Sequence, residues 1–287
     1  MRIIKAHALG NDFLLLDEGS VPDGADRPAL ARALCDRHRG LGGDGLILYK
    51  SSAESGLRES GPGPVERLVS MALLNADGSY SEVSGNGVRC LAAWVAEDSG
   101  AAIGTSVDVD TDAGRKRLEL LERTPDGLVF RAAMGPPEAV ATVRLEVAGE
   151  DVEAVTLRVG NPQCVVLGAV TQARLHQVAA RLAVHPHFPQ GTNVELASVE
   201  TSGCVRILIW ERGVGPTEAS GTGACAAAVA AIAYGGADRD VTVVSPGGTQ
   251  RVEWQADGLY LTGSAEIIAS CQWRRAPAAV SSGNRSR

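Results

Sequence analysis

The sequence predicts an α+β fold, and three observations support this prediction. Short apolar segments are much more numerous than helical ones along the 287 residues. Strands and helices do not alternate strictly, as they would in a parallel α/β sheet. Asp-Gly turns at 77–78, 126–127 and 257–258 separate several strands, which is typical of antiparallel hairpins.

Apolar runs bounded by turn residues predict the strands, and longer amphipathic or Ala-rich segments predict the helices. The strands are Arg2–Ile4, Phe13–Leu16, Leu46–Tyr49, Arg67–Leu74, Ser106–Asp110, Arg117–Glu122, Leu128–Ala132, Val143–Val147, Ala154–Val159, Cys164–Leu167, Val194–Val199, Val205–Glu211, Asp240–Val244, Arg251–Trp254, Leu259–Thr262 and Glu266–Ala269. The helices are Pro28–His38, Gly87–Glu97, Thr171–Ala183 and Gly223–Tyr234. Thr171 is the expected N-cap of the third helix, and glycine turns lead into the second and fourth.

Composition and charge limit the partners. Hydrophobic residues make up 45% of the chain, which is enough for real cores, and the net charge of −7 disfavours a nucleic acid. No apolar stretch approaches the ~18 residues that a membrane helix needs. The six cysteines are scattered without CxxC spacing. We therefore expect a reduced, cytoplasmic protein that binds neither nucleic acid nor membrane.

The chain contains an internal repeat. The run Glu-Val-Ser-Gly-Asn-Gly at 82–87 leads into one Ala-rich helix, and Glu-Ala-Ser-Gly-Thr-Gly at 218–223 leads into another. Gly-Asn at 10–11 and at 160–161 precedes an apolar strand in each half. The repeat predicts two similar domains, residues 1–133 with 264–275 and residues 134–263, followed by a disordered tail at 276–287.

A helix that begins with Ser-Gly-x-Gly can hold an anion, because its first N–H groups lack partners and its N-terminus carries partial positive charge. Glycines let a carboxylate or phosphate approach that backbone closely. The alternative is that Ser84 and Ser220 are ordinary N-caps and that the glycines only shape turns. Because the two helix starts occupy matching positions of the repeat, we favour a ligand cleft where both N-termini meet.

A second group of candidates lies in polar loops next to glycine, proline or strand ends. Its members are Asn11, Asn75, Asn86, Asn161 and Asn193, each of which also suits a turn. Glu211-Arg212 follows an apolar run and forms either an exposed ion pair or a charged clamp for an amino acid. The GxGxxG-like run at 40–45 follows a helix and precedes a strand, the reverse of a dinucleotide site. His185 and His187 lack further metal ligands at fitting spacing.

Taken in order, these motifs resemble the signatures of the diaminopimelate epimerase family. They are Gly10-Asn11-Asp12-Phe13, Asn75-Ala76-Asp77-Gly78-Ser79, Gly85-Asn86-Gly87-Val88-Arg89-Cys90, Gly160-Asn161-Pro162, Glu211-Arg212-Gly213 and Gly221-Thr222-Gly223-Ala224-Cys225-Ala226. The resemblance extends from Met1 to about Ile268. It implies two pseudo-symmetric domains, each a curved, mostly antiparallel, barrel-like sheet around a central helix.

The resemblance also implies an isomerase of lysine biosynthesis with an amino-acid substrate between the domains and with no cofactor or metal. A homodimer is the expected assembly. The residues implied for the far end of the substrate are Asn75, Asn161, Asn193 and Arg212. Those implied for the reacting end are Asn11, Gly85, Asn86, Glu211, Gly221 and Thr222.

The proton-transfer pair departs from the family, whose two cysteines stand where this chain has Ser84 and Ser220. A thiol has a pKa of about 8.5, which a helix N-terminus lowers further, whereas a serine hydroxyl is far less acidic and needs a neighbouring base. The family's histidine after Gly-Asn-Pro is Gln163 here, and a usual glutamate is Tyr80. We expect the catalytic group to consist of Ser84, Ser220, Glu211 and Gln163.

Three functions remain open on this scaffold. We favour an epimerase or racemase that transfers a proton at the α-carbon, because the substrate-binding positions match. The second is a cyclase, lyase or other isomerase in which Glu82, Glu211, Glu218 or Tyr80 supplies acid–base function. The third is an amino-acid-binding protein without turnover. The serines then reflect either divergence or substitution to trap a ligand, and Gln163 favours divergence because trapping would not require it.

Overall fold

The computed structural model describes residues 1–51 and 66–274, and the tail predicted at 276–287 lies outside the described residues. The chain divides into two compact units. Unit 1 comprises Met1–Ala8, Asp12–Leu128 and the segment from Ala265 onward, and unit 2 comprises Leu9–Asn11 and Val129–Ser264.

Unit 1 combines a sheet with two helices. The strands are β1 (Arg2–Ala8), β2 (Asn11–Asp17), β3 (Gly45–Ser51), β4 (Glu66–Asn75), β5 (Tyr80–Ser81), β6 (Ser106–Thr111) and β7 (Gly114–Thr124). The helices are α1 (Arg27–Cys35) and α2 (Gly85–Asp98), with a short 3-10 turn at Glu18–Ser20. α2 is buried along most of its length and contacts β1, β6 and β7. α1 packs Leu30 and Leu34 into a separate apolar cluster with Leu46 of β3.

Unit 2 is richer in strands. They are β8 (Gly127–Gly135), β9 (Glu138–Val147), β10 (Glu150–Val159), β11 (Asn161–Leu167), β12 (Asn193–Thr201), β13 (Cys204–Glu211), β14 (Gly215–Thr217), β15 (Asp240–Ser245), β16 (Gly248–Gln255) and β17 (Gly258–Gln272), of which β8 begins and β17 ends in residues of unit 1. The helical pieces are α3 (Gln172–Arg174), a π turn (Leu175–Ala179), α4 (Ala180–Leu182) and α5 (Gly221–Tyr234).

α5 is the central helix of unit 2. Residues Ala224–Ala231 are all fully buried. Strands β10, β11, β12, β13, β15 and β16 contact this helix from different sides. A helix that is apolar all round is one that is enclosed, and alanine side chains let the strands approach it closely. The mixed α+β class and the barrel-like sheet around a central helix are thus confirmed.

The two units repeat one order of strand pairing. β2 is parallel to β3 in unit 1, as β11 is to β12 in unit 2. In unit 1, β4 is antiparallel to β3 and the short β5 is antiparallel to β4. In unit 2, β13 is likewise antiparallel to β12 and the short β14 is antiparallel to β13. A helix follows, and then β6 lies parallel to β4 as β15 lies parallel to β13. The repeat of motifs in the sequence therefore corresponds to a repeat of topology.

Some predicted element bounds were wrong. α1 ends at Cys35, because Asp36 leaves the helical conformation and its Oδ1 accepts the N–H groups of His38 and Arg39, each at 2.8 Å. The two strands predicted near the C-terminus are one continuous strand, β17. β5 and β14 are too short to give a periodic signal, yet each leads the chain to the start of a central helix.

The helices α2, α3 and α5 each begin directly after a Ser or Thr that is the N-cap. α2 and α5 begin two residues before the predicted positions, since each serine is the N-cap. The predicted cap of the third helix is confirmed, because Thr171 Oγ1 accepts the N–H of Arg174 at 3.2 Å. Along the part of the chain that the structure describes, no helix is both long and apolar enough to cross a membrane.

Candidate functional site

Ser84 and Ser220 hold equivalent positions at the starts of the two central helices. Ser84 Oγ accepts the N–H of Gly87 at 3.1 Å, and Ser220 Oγ accepts the N–H of Gly223 at 3.2 Å. Both serines have extended backbone conformations, as N-caps do. The hydroxyl oxygens therefore stand at the positive ends of 14-residue helices, where negative charge on oxygen is stabilised.

In unit 1, the other predicted site residues lie around the entry to α2. Gly85 is the first residue of the helix. Asn86 is buried, and its Oδ1 accepts a hydrogen bond from Arg89 Nη2 at 2.5 Å. Asn75 ends β4 and donates from Nδ2 to Ser79 Oγ at 2.9 Å. The motif residues of this unit are thus held by hydrogen bonds within their own loops.

In unit 2, three predicted side chains form a connected polar row. Gln163 Nε2 donates to Asn161 Oδ1 at 2.6 Å. Gln163 lies opposite Asn193 in the parallel pairing of β11 and β12. Asn193 Oδ1 in turn accepts the backbone N–H of Arg212 at 2.9 Å. The structure therefore brings together residues that are up to fifty positions apart in the sequence.

Glu211 is the last residue of β13, and Arg212 follows it. Glu211 Oε1 accepts a hydrogen bond from Thr217 Oγ1 at 3.2 Å. Arg212 Nη1 donates to the carbonyl oxygen of Gln190 at 2.9 Å. The neighbouring Gly191 has a φ of +71°, and a Cβ there would come within 2.9 Å of Arg212 Cδ. The loop backbone thus fixes the direction of the guanidinium, which remains exposed and able to bind a carboxylate.

The remaining predicted residues of unit 2 flank the start of α5. Gly221 and Thr222 are its first two residues. Asn11 follows Gly10, whose φ is +85° and whose Cβ, if present, would lie 2.6 Å from Glu218 Oε2. The positive φ favours glycine, and the Gly-Asn segment lies against the side chain of Glu218, two residues before Ser220.

The family model for diaminopimelate epimerase matches residues 3–140 and 155–268 of this chain. The chain belongs to the diaminopimelate epimerase family. The diaminopimelate epimerase of Desulforudis audaxviator (strain MP104C) is 40% identical over 96% of this chain and 100% of its own length. That of Desulfitobacterium hafniense (strain DSM 10664 / DCB-2) is 37% identical over 93% and 96%, respectively.

A solved structure shows the same fold at low sequence identity. A probable proline racemase from Agrobacterium radiobacter K84 superposes with a TM-score of 0.69 and 17% identity, covering 95% of this chain and 92% of that chain. The resemblance to the diaminopimelate epimerase family that the sequence indicated is confirmed. Membership places this chain in a family of isomerases.

The buried cysteines of this family member are poor acid–base groups. Burial raises the pKa of Cys90 and of Cys164 to about 12. Such thiols stay protonated at neutral pH. They are therefore poorly suited to take the place of the predicted pair, Ser84 and Ser220.

Three of the four candidates of the alternative acid–base scheme are exposed, and the fourth, Glu211, is half-buried. Glu82 and Glu218 lie on the surface on either side of the helix entries, and Tyr80 on β5 is 59% exposed. Among the described residues, no three His, Cys, Asp or Glu side chains are grouped so that they could hold a metal ion.

Sequence reasoning missed two buried polar side chains of the diaminopimelate epimerase fold. Arg89 is 1% exposed within α2 and bonds Asn86. Glu195 is fully buried on β12, and burial raises its pKa well above the usual range, helped by the negative charge of Glu211. The sequence signal that could have found them is a charged residue inside an otherwise apolar run. Such a residue is rarely buried unless it has a specific partner or function.

Proposed function

We propose that this protein is a cofactor-independent epimerase that inverts the α-carbon of a diaminopimelate-type amino acid, in lysine biosynthesis in the cytoplasm. One observation carries the proposal: in a fold of this family, two topologically equivalent helices each begin at a serine whose hydroxyl oxygen sits at the positive helix end. Inverting a carbon by proton transfer needs one acid–base group for each of its two faces. The repeat supplies two such groups.

In the proposed reaction, Ser84 and Ser220 exchange roles according to the configuration of the substrate. One serine, present as the alkoxide, takes the α-proton and becomes a neutral hydroxyl as the C–H bond breaks, and the electron pair stays on the α-carbon. The other hydroxyl gives its proton to that carbon, and its oxygen is left negative. Partial positive charge at each helix N-terminus stabilises such an oxygen.

The recognition residues keep the roles that the resemblance implies. Asn75, Asn161, Asn193 and Arg212 bind the distal amino-acid group, and Asn11, Gly85, Asn86, Glu211, Gly221 and Thr222 bind the reacting end. The bonds from Gln163 to Asn161 and from Arg212 N to Asn193 support a preorganised amide row. Gln163 cannot serve as a base, and in this proposal it orients Asn161. The domain bounds predicted from the repeat and a homodimer are also parts of the proposal.

The test is exchange of the substrate α-proton with D₂O, followed by proton NMR with the LL and meso isomers of diaminopimelate. The wild type should exchange the proton and interconvert the isomers. Ser84→Gly and Ser220→Gly should each lower interconversion by ~100-fold or more, the usual contribution of a positioned acid–base group. Glycine costs an N-cap only a few tenths of a kcal/mol, so the helices are retained.

The matched control is Thr171→Gly, which changes a helix cap outside the site and should leave the rate unchanged. Two results would overturn the proposal. The first is absence of exchange with every diamino acid tested, including tight binding without turnover, which favours a binding protein. The second is full activity in both serine variants, which would assign proton transfer to other groups.

A further inference from the structure

The carboxyl group of Glu195 lies in the interior of unit 2. The residue is fully buried, and neither Oε1 nor Oε2 has a hydrogen-bond partner within the described part of the chain. An ionised carboxylate in such a place costs much more free energy than a neutral carboxylic acid, so the group keeps its proton. A neutral carboxylic acid has an O–H donor that a carboxylate lacks.

This carboxyl group is next to the start of α5. A Cβ on Gly223 would lie 2.6 Å from Glu195 Oε1 and 3.2 Å from Ser220 Oγ. Both oxygens therefore border the same first-turn residue, whose own N–H is donated to Ser220 Oγ. The absence of a side chain at 223 leaves room for the carboxyl group beside the serine.

The other half of the repeat shows that the fold does not require an acid here. Val165 pairs with Glu195 two residues after the first pair of β11 and β12, and Leu15 pairs with Ile47 two residues after the first pair of β2 and β3. A Cβ on Gly87 would meet Ile47 Cδ1 at 3.1 Å. Isoleucine in unit 1 thus packs against a serine-capped helix start where unit 2 has glutamic acid.

Among the described residues, the titratable groups whose charges act on Glu195 do not include a cation. Glu211 on β13 is acidic and raises the pKa of Glu195. Cys164 on β11 is a buried thiol, which stays protonated. Ser220 on α5 borders the same glycine as the carboxyl group, and its hydroxyl is the group whose weak acidity limits the proposed reaction.

We infer that Glu195 is a positioning residue whose neutral carboxyl group donates a hydrogen bond to Ser220 Oγ as negative charge develops there. The inference rests on the proposed function and deepens it. It explains how a serine can stand where the family has a thiol, since a donor beside the oxygen stabilises its ionised form. No bond to carbon is made by Glu195, and its proton stays on its own oxygen.

The experiment compares Glu195→Ile, which copies unit 1, with Glu195→Gln, which keeps a neutral donor. Glu195→Ile should lower kcat for isomer interconversion by ~30-fold or more with KM changed less than threefold, and Glu195→Gln should retain most of the activity. Activity of the wild type should fall as pH rises and Glu195 ionises, and this fall should be absent in Glu195→Gln. Glu200→Gln on the same strand is the exposed control and should behave as the wild type.

Repeating the Glu195→Ile substitution in the Ser220→Cys variant distinguishes a chemical role of Glu195 from a structural one. In Ser220→Cys the thiol is acidic by itself, so adding Glu195→Ile should cost much less than it does in the serine enzyme. An equal cost in both backgrounds would overturn the inference, and so would wild-type kcat in a folded Glu195→Ile variant. If wild-type protein shows no exchange at all, the proposed function fails instead.

One readout needs neither turnover nor the isoleucine variant to fold. The infrared spectrum of the wild type at neutral pH should contain a protonated carboxyl C=O band that disappears in Glu195→Gln. A spectrum that assigns an ionised carboxylate to residue 195 would exclude the donor role directly. Together the kinetic and spectroscopic results distinguish failure of this inference from failure of the proposed function.

Discussion

The two serine-capped helices begin in the same way and differ in what packs against their first turn. Each serine accepts the N–H of a glycine three residues later. Beside that glycine, α2 has the apolar side chains of Ile47 and Phe13, whereas α5 has the carboxyl group of Glu195. The backbone repeat therefore sets the position of both hydroxyl groups, and single side chains around it decide how each can react.

The two units also differ in how they treat a buried acid, as the pKa values of Asp12 and Glu195 show. Asp12 in unit 1 receives Arg37 Nη2 at 2.7 Å and Lys5 Nζ at 2.9 Å. Burial alone would raise its pKa, but these hydrogen bonds and charges lower it to about 2. Burial raises the pKa of Glu195, which has no cationic partner to offset it, and the charge of Glu211 acts in the same direction. A buried acid thus stays charged where a cation accompanies it, because burial by itself favours the neutral form.

The largest predicted effect is on the rate. Ser84→Cys with Ser220→Cys should raise interconversion of the LL and meso isomers by ~100-fold or more at pH 8, because a thiol pKa of about 8.5 is much closer to the working pH than that of a hydroxyl. The measurement is kcat/KM for each isomer by a chiral separation of products.

The single variants Ser84→Cys and Ser220→Cys show how far the reactivity of each serine depends on the side chains packed beside it. If Glu195 assists its serine, Ser84→Cys should give the greater single gain, because the serine of unit 1 is the weaker of the two. A double revertant without any gain in epimerisation would instead favour a different reaction on this scaffold.

The buried acids should give opposite responses of stability to pH. Because the pKa of Glu195 is raised, the folded state binds more protons than the unfolded state between pH 4.5 and the folded-state pKa. The free energy of unfolding therefore falls as pH rises through this range, by up to about 1.4 kcal/mol per pH unit. Asp12 has a lowered pKa, so its contribution of about 2 kcal/mol is present above pH 4 and is lost as pH falls towards 2.

Denaturant unfolding of Glu195→Gln and Asp12→Asn between pH 3 and pH 9 tests both signs. Glu195→Gln should gain stability over the wild type as pH rises, and Asp12→Asn should lose the acid-side slope while being less stable at neutral pH. Parallel curves for wild type and Glu195→Gln over the whole range above pH 4.5 would mean that Glu195 is not held neutral in the folded protein.

The sequence predicted the parts of this molecule that depend on local pattern. Apolar runs and Asp-Gly turns located the strands, and the serine before each glycine run located both central helices. It could not indicate that Ile47 and Glu195 are equivalent, because this follows from the pairing register of strands that are far apart in sequence. Nor could it show Gln163 against Asn161, since that bond depends on rotamers at the start of β11.

The smallest predicted effect comes from adding one methyl group to each helix start. Alanine is favoured over glycine within a helix by about 1 kcal/mol, which opposes any cost of crowding. In Gly87→Ala the new Cβ lies 3.1 Å from Ile47 Cδ1, and a small shift of that flexible side chain should leave the free energy of unfolding within about 0.5 kcal/mol of the wild type.

In Gly223→Ala the new Cβ would lie 2.6 Å from Glu195 Oε1, a distance that real side chains do not adopt, so the carboxyl group must move. A net loss of about 1–2 kcal/mol is expected, together with lower activity. Shortening the acid in Gly223→Ala/Glu195→Asp should recover part of both, giving a coupling of about 1 kcal/mol in a double-mutant cycle. Equal effects of Gly87→Ala and Gly223→Ala, with no coupling to residue 195, would show that the carboxyl group does not lie against α5, and the difference between the two helix starts would lose its basis.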